Sequence, residues 1–240
     1  MSFSIIVHVE EGMVLAGDRR ALLDKNIYNT RGEISRIERG VFINDSIQKV
    51  FTCPNDAGII IDGSLYSGNK SLSLSMANFI ESKIYENTAI NEMPQLLLDY
   101  FNRFIEPVNM DIYIAGYDKK AKEPKQKIYF ISLSKLSYRE IALEGPGAIW
   151  QGDRVAMDRM FDRVWSKKEE EYIEFNDNPV LWEYFSLQDA IDFSEYALEL
   201  TDRMMHFWSL PKTVGGGADV LIITPKGSQW VEEKKVHRGS

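Results

Sequence analysis

Apolar residues alternate from the start of the chain. Phe3, Ile5, Val7 and Val9 are separated by Ser4, Ile6 and His8, a period of two that predicts a strand. Ile6 sits among the otherwise polar positions, so both faces of this strand are expected to be partly covered. A turn at Glu11-Gly12 leads into Met13-Val14-Leu15-Ala16, a second, buried strand that ends on Gly17-Asp18-Arg19. Residues 19–48 are polar, with weak β signals at 34–37 and 41–43, and read as a long functional or interfacial connection. Strands are predicted at 49–52 and 57–62, after which Gly63 breaks the pattern. Leu65, Leu72, Met76, Phe79, Ile80 and Ile84 share one helical face, and Leu97, Tyr100, Phe101 and Phe104 place a second helix over 91–105. Strands follow at 110–117, 128–133 and 137–143, with a charged connection at 118–125. A helix is expected over 154–165, then a charged, irregular stretch at 166–184. Ala190, Ile191, Ala197, Leu198 and Met205 define a long amphipathic helix, opened by a capping box at Ser186 and Asp189. The chain closes with strands at 218–224 and 229–231 and a polar tail at about 232–240 that is expected to fray.

Runs of strands separated by pairs of helices do not fit alternating βαβ units. They fit an α+β fold, a four-layer αββα sandwich of two mostly antiparallel sheets. No repeat, linker or low-complexity stretch divides residues 1–240, so one domain is expected. The net charge of −8 argues against a nucleic-acid partner. Cys53 is the single cysteine, which excludes an intrachain disulfide and a cysteine-held metal. His8, His206 and His237 lack metal-ligand spacing, and His8 and His206 read as structural. The pair Phe207-Trp208 reads as core. No apolar run approaches the roughly 20 residues of a membrane span. No signal peptide is evident, so cytoplasmic residence without a membrane partner is expected.

Ser2 follows Met1, and initiator methionine is commonly removed before a small residue. Removal would put a hydroxyl and a free α-amine on Ser2, a nucleophile carrying its own base.

Three segments carry a resemblance. Leu15-Ala16-Gly17-Asp18-Arg19 resembles the "V-V-x-A-x-D-x-R" signature of proteasome β-type subunits and their bacterial relatives, the Anbu family among them. Lys49-Val50-Phe51, with Gly58 through Gly63-Ser64, resembles their "K-[IV]-x…G-x-x-x-[AS]-G" segment, in which the glycine opens the first helix. Thr213-Val214-Gly215-Gly216-Gly217 resembles their C-terminal Gly-Gly turn, and Trp150-Gln151-Gly152-Asp153 is a weaker fourth match. Together they span nearly the whole chain in order. The resemblance implies the N-terminal nucleophile hydrolase fold, a homo-oligomeric ring or stacked ring, and a peptide or other amide substrate. Ser2 falls on the nucleophile position without a gap.

The implied chemistry is acyl transfer. Ser2 attacks an amide carbonyl, Lys49 lowers the pKa of the terminal amine, Asp18 holds Lys49, and Gly63 offers its N–H to the oxyanion. This chemistry requires no metal or organic cofactor. Whether an ATP-dependent unfoldase takes part is not legible. The pattern is broken twice. Residues 209–214 lack the supporting acid, with Ser209 and Thr213 as candidates to substitute, and Gly145-Pro146-Gly147 lacks the supporting serine. Retention of Met1 would block this route. An inactive proteasome-like scaffold and a small-molecule amidase of the same fold therefore stay open.

Overall fold

The computed structural model describes residues 2–67, 70–103, 108–120, 122–161, 165–168, 171–174 and 180–232. Strands β1 (Phe3–Val9) and β2 (Gly12–Asp18) form the opening hairpin, and every residue of both is buried. Burial on both faces agrees with the cover expected from Ile6. Strands β3 (Ala21–Tyr28) and β4 (Ile34–Asn44) form a long hairpin, largely exposed. Strands β5 (Val50–Thr52), β6 (Gly58–Gly63) and the short pair β7 (Tyr66–Ser67) and β8 (Lys70–Ser71) lead to helices α1 (Leu72–Lys83) and α2 (Met93–Phe101). Next come β9 (Met110–Asp118), β10 (Lys125–Ser132), β11 (Ser137–Glu140), β12 (Gly147–Gly152) and α3 (Val155–Phe161). A small hairpin of β13 (Trp165–Lys168) and β14 (Glu171–Glu174) and a 3-10 turn at Trp182–Tyr184 precede α4 (Leu187–Met205). Strands β15 (Ala218–Thr224) and β16 (Gly227–Glu232) finish the described chain.

Two five-stranded sheets result, ordered β12-β1-β2-β15-β16 and β11-β10-β9-β6-β5, and antiparallel at every pairing. The sheets share an apolar cluster, to which the first gives Ile6, Met13, Leu15, Leu221 and Ile223. The second gives it Val50, Ile60, Ala115, Tyr117 and Ile128. On the far face of the second sheet, Ile59, Ile61, Ile112 and Ile114 pack with Leu72, Met76 and Phe79 of α1 and Leu97 of α2. On the far face of the first, Phe3, Ile5, Val7, Val14 and Val220 pack with Met157 of α3 and Ala190, Ala197 and Leu198 of α4. At Gly58 the first sheet's side chains press on the second sheet's backbone, and a Cβ there would lie 2.6 Å from Leu15 Cδ2. The capping box is present: Ser186 accepts from the Asp189 N–H, and the Asp189 carboxylate accepts from the Ser186 N–H at 2.8 Å.

Several expectations are corrected. The excursion at 19–48 is the β3–β4 hairpin, whose strands escape a period-two reading because neither face is covered. The stretch 166–184 contains most of β13, β14 and the 3-10 turn; of the helix expected over 154–165, Val155–Phe161 is helical, 162–164 lie outside the described residues, and Trp165 belongs to β13. Leu65 lies outside α1, and Gly63 does not open that helix: β7 and β8 intervene. Strand β12 had no signal, because Gly147-Ala148-Ile149-Trp150-Gln151-Gly152 begins and ends on glycine. Phe207 is 85% exposed rather than core, while Trp208 packs against the α4 side of the first sheet. Phe104 and Ile105 of the second expected helix, and the tail beyond Glu232, lie outside the described residues.

Candidate active site

The apolar layer between the sheets turns polar at one end, and strand alternation decides which residues meet there. Ile6 faces the layer, so Ser4 and Ser2, two and four positions earlier, share its face. Ile60 faces it from β6, which brings Asp62 to the same side. Asp111 lies directly opposite Asp62 in the β6–β9 ladder, and directly opposite residues point to one face. Gln151 of β12 pairs with Ser4 in the same way.

Ser2 is 3% exposed. Its carbonyl accepts from the Asp153 N–H at 2.7 Å, and its hydroxyl donates to Asp62 Oδ1. Gly152, at φ +84°, allows this closeness, because a Cβ there would stand 1.9 Å from the Ser2 carbonyl oxygen. The Asp153 carboxylate accepts from the Thr213 hydroxyl at 2.9 Å. Asp153, just after β12, therefore reaches Ser2 through its backbone N–H, while its carboxylate is held by Thr213.

Asp18 and Lys49 form a closed ion pair. Lys49 Nζ donates to Asp18 Oδ1 at 2.8 Å and to the Arg20 carbonyl at 2.5 Å, with side chains 0% and 1% exposed. Asp18 Oδ1 also accepts from the Phe3 N–H at 3.0 Å, which ties the pair to the residue after Ser2. Its Oδ2 accepts from the N–H groups of Arg20 at 2.9 Å and Gly215 at 3.2 Å. Burial pushes the Asp18 carboxyl upward from the ordinary value; the Lys49 charge and the Lys49, Phe3 and Arg20 hydrogen bonds pull against it. Arg19 turns elsewhere, donating from Nε to Asp219 Oδ1 at 2.8 Å.

Lys49 is anchored just ahead of β5 by the Ile61 N–H, which donates to its carbonyl at 2.9 Å. Alternation turns the Gly63 N–H toward that same edge, past the point where β5 begins, so no β5 residue pairs with it. Gly63 has φ +102°, and a Cβ there would lie 2.6 Å from the Asn109 carbonyl oxygen. Only glycine holds this corner without strain. A cleft of about 370 Å³ opens beside it, lined by Ala21, Leu22, Leu23, Asp62, Gly63, Ser64, Leu65, Tyr66 and Asn109. A second cleft, about 460 Å³, lies behind Asp18 along the Gly215-Gly216-Gly217 turn.

The structure thus gathers Ser2, Asp18 and Lys49, linked through the Phe3 N–H, and places Gly63 next to Asp62, which touches Ser2. Asp62 and Asp153 escape the sequence reading as site residues, whereas Thr213 is one of the two substitutes it offers for the missing acid. Counting forward from Ile60 by alternation would have found Asp62, but nothing local gives Asp153 its place. Among the described residues no group of three His, Cys, Asp or Glu is placed to hold a metal ion. Cys53 is buried, its thiol pushed up to about 12 by desolvation, and is a poor nucleophile. Among the described residues no helix is long and apolar enough to cross a membrane.

No protein-family model and no curated protein matches the chain. Solved structures do. "Anbu (ancestral beta-subunit)" from Yersinia bercovieri superposes with TM-score 0.60 at 16% identity, covering 97% of this chain and 88% of that one. Anbu from Hyphomicrobium sp. strain MC1 gives TM-score 0.59 at 16% identity over 97% and 86%. A Gly-1 mutant of that Anbu gives 0.58 at 16% over 98% and 86%. At this identity the likeness shows the fold alone, which is that of these proteasome-like Anbu structures. Within that class the chain is similar to Anbu over nearly its full length.

Proposed function

We propose that this protein is a proteasome-like amide hydrolase whose nucleophile is Ser2 once Met1 has been removed. The observation that carries the reading is the fully buried Lys49–Asp18 pair, tied by a hydrogen bond to the backbone one residue from Ser2. A buried ion pair is weak as a stabilising device. Its placement beside a candidate nucleophile favours an electrostatic role.

In this mechanism the Ser2 α-amine takes the hydroxyl proton as Oγ bonds to the substrate carbonyl carbon. The Lys49 ammonium, kept charged by Asp18, favours the neutral amine beforehand. Charge developing on the carbonyl oxygen is met by the Gly63 N–H. The amine then protonates the leaving nitrogen as the C–N bond breaks. Water attacks the resulting ester, gives a proton back through the amine, and releases the acid. Asp153, held by Thr213, fixes the Ser2 carbonyl and so the direction of the terminus.

The three apolar clusters support a four-layer αββα sandwich in a single domain. The β3–β4 hairpin supports a homo-oligomer. Tyr28, Ile34, Ile37, Val41, Phe42 and Ile43 are exposed on it, and a lone two-stranded hairpin is marginal without cover. A cytoplasmic location is proposed with it.

Intact-mass analysis of natively expressed protein, with and without a hydroxyl-reactive electrophile, tests the reading. Loss of Met1 and a single adduct that Ser2→Ala abolishes is the expected result. Retained Met1 with no adduct would overturn it and leave an inactive scaffold of the same fold.

A further inference from the structure

The cleft beside Gly63 carries one charged side chain in its lining, Asp62. Its other walls combine the side chains of Leu22, Leu23, Leu65 and Tyr66 with the polar Ser64 and Asn109. The same carboxylate accepts the Ser2 hydroxyl through Oδ1. Asp111 stands opposite it on the same face of the sheet, so two half-buried carboxylates border the nucleophile. Nearby, Ser4 is 2% exposed, and its hydroxyl oxygen is buried without a hydrogen-bond partner among the described residues. Alternation places Ser4 on the face of Ser2. This end of the inter-sheet layer is thus built for a polar, positively charged group, and it adjoins a recess to which Leu22, Leu23, Leu65 and Tyr66 give apolar surface.

The position of the carboxylate limits which cation it can read. When Ser2 Oγ has bonded to a carbonyl carbon, a group on the neighbouring α-carbon remains within a few bonds of Asp62. The tip of a lysine or arginine side chain in the cleft would be carried well past it. An α-ammonium on the acyl residue fits, with that residue's apolar side chain in the recess. We propose that the acyl group taken by Ser2 is the N-terminal residue of its substrate, an apolar amino acid with a free α-amine. Asp62 and Asp111 receive that amine, and the leucine-lined cleft receives the side chain. The inference rests on the proposed role of Ser2 and names the substrate class for it.

The cations around this end are Lys49, committed to Asp18, and Arg139 and Arg154, which together with Asp111 and Asp62 set the field at Tyr113. Charge-assisted hydrogen bonds are about twice as strong as neutral ones, and a buried carboxylate left facing a blocked, uncharged amide loses them.

The test compares leucyl-, N-acetyl-leucyl- and N-acetyl-lysyl-aminomethylcoumarin as substrates of the mature protein and of Asp62→Asn. The expected result is a kcat/KM for the free-amine substrate at least roughly tenfold above that for its acetylated form. In Asp62→Asn that ratio should fall toward one. Equal or faster turnover of the acetylated leucyl substrate overturns the inference and leaves acyl transfer standing. Preference for the acetylated lysyl substrate overturns it in favour of side-chain recognition. A ratio unchanged in Asp62→Asn, with a pH profile displaced equally for all substrates, overturns it in favour of Asp62 acting on the chain's own terminus. No turnover of any substrate also overturns it, and adduct formation at Ser2 then decides whether the acyl-transfer reading falls too.

Discussion

Replacing Lys49 by methionine keeps most of the aliphatic stem and deletes the charge. At the observed 2.8 Å and an effective dielectric near 20, Lys49 and Asp18 attract by about 6 kcal/mol. Desolvation of two fully buried ions costs several kcal/mol each, so the intact pair is close to neutral for stability. The single variant is different, because it leaves the Asp18 carboxylate buried without a counter-charge. Breaking such a pair costs about 3–5 kcal/mol. The N–H groups of Phe3, Arg20 and Gly215 still reach Asp18, which favours the lower end of that range. Lys49→Met should therefore lose about 3 kcal/mol in urea unfolding. Asp18→Asn/Lys49→Met removes both charges and should recover at least about 2 kcal/mol relative to the sum of the single variants. A Lys49→Met loss under about 1 kcal/mol, or strict additivity in the double variant, would refute the coupled-pair reasoning. The double variant should also fold without forming an adduct at Ser2, which separates the electrostatic role of the pair from its structural one.

Other outcomes follow from single contacts. Gly63→Ala meets the Asn109 carbonyl at a positive φ and should lower stability by about 1–3 kcal/mol in thermal unfolding, with slower adduct formation at Ser2. Thr213→Val leaves the Asp153 carboxylate without its hydroxyl donor and should cost about 1–2 kcal/mol, read by the same melts. His8 is buried and its pKa is lowered from 6.5 by desolvation, so the unfolded chain binds its proton first. Stability from this group is complete above pH 6.5 and declines as pH falls below it. His8→Phe should flatten that slope in pH-dependent urea titrations, and a slope unchanged by the substitution would assign it to other groups.

The opening hairpin, the capped helix α4, strand β5 just after Lys49 and strand β6 ending on Gly63 were legible because each has a local cause. Alternation, a capping box and a glycine break act within a few residues. The β3–β4 hairpin was not legible, since strands exposed on both faces need no apolar period. Strand β12 hid behind terminal glycines, of which Gly152 admits the Ser2 carbonyl, a contact across some 150 positions, and Gly147 lies against His8. The same distance concealed Asp62 and Asp153. Each is an ordinary aspartate in its own neighbourhood and acquires its place only when two sheets stack. Thr213 shows the limit from the other side: it is a candidate to substitute for the missing acid, but its carboxylate partner, Asp153, lies sixty residues earlier.

The Gly215 N–H reaches Asp18 across 197 positions, and Arg19 reaches Asp219 across 200. Contacts at such separations form slowly, after much of the chain is ordered. Strand β15, which follows that turn, is also the neighbour that completes β2 on its open side. Asp18 takes its Phe3, Arg20 and Lys49 partners from nearby in the sequence and only its Gly215 partner from afar. The turn that completes the Asp18 contacts and the strand that covers β2 therefore come into place together.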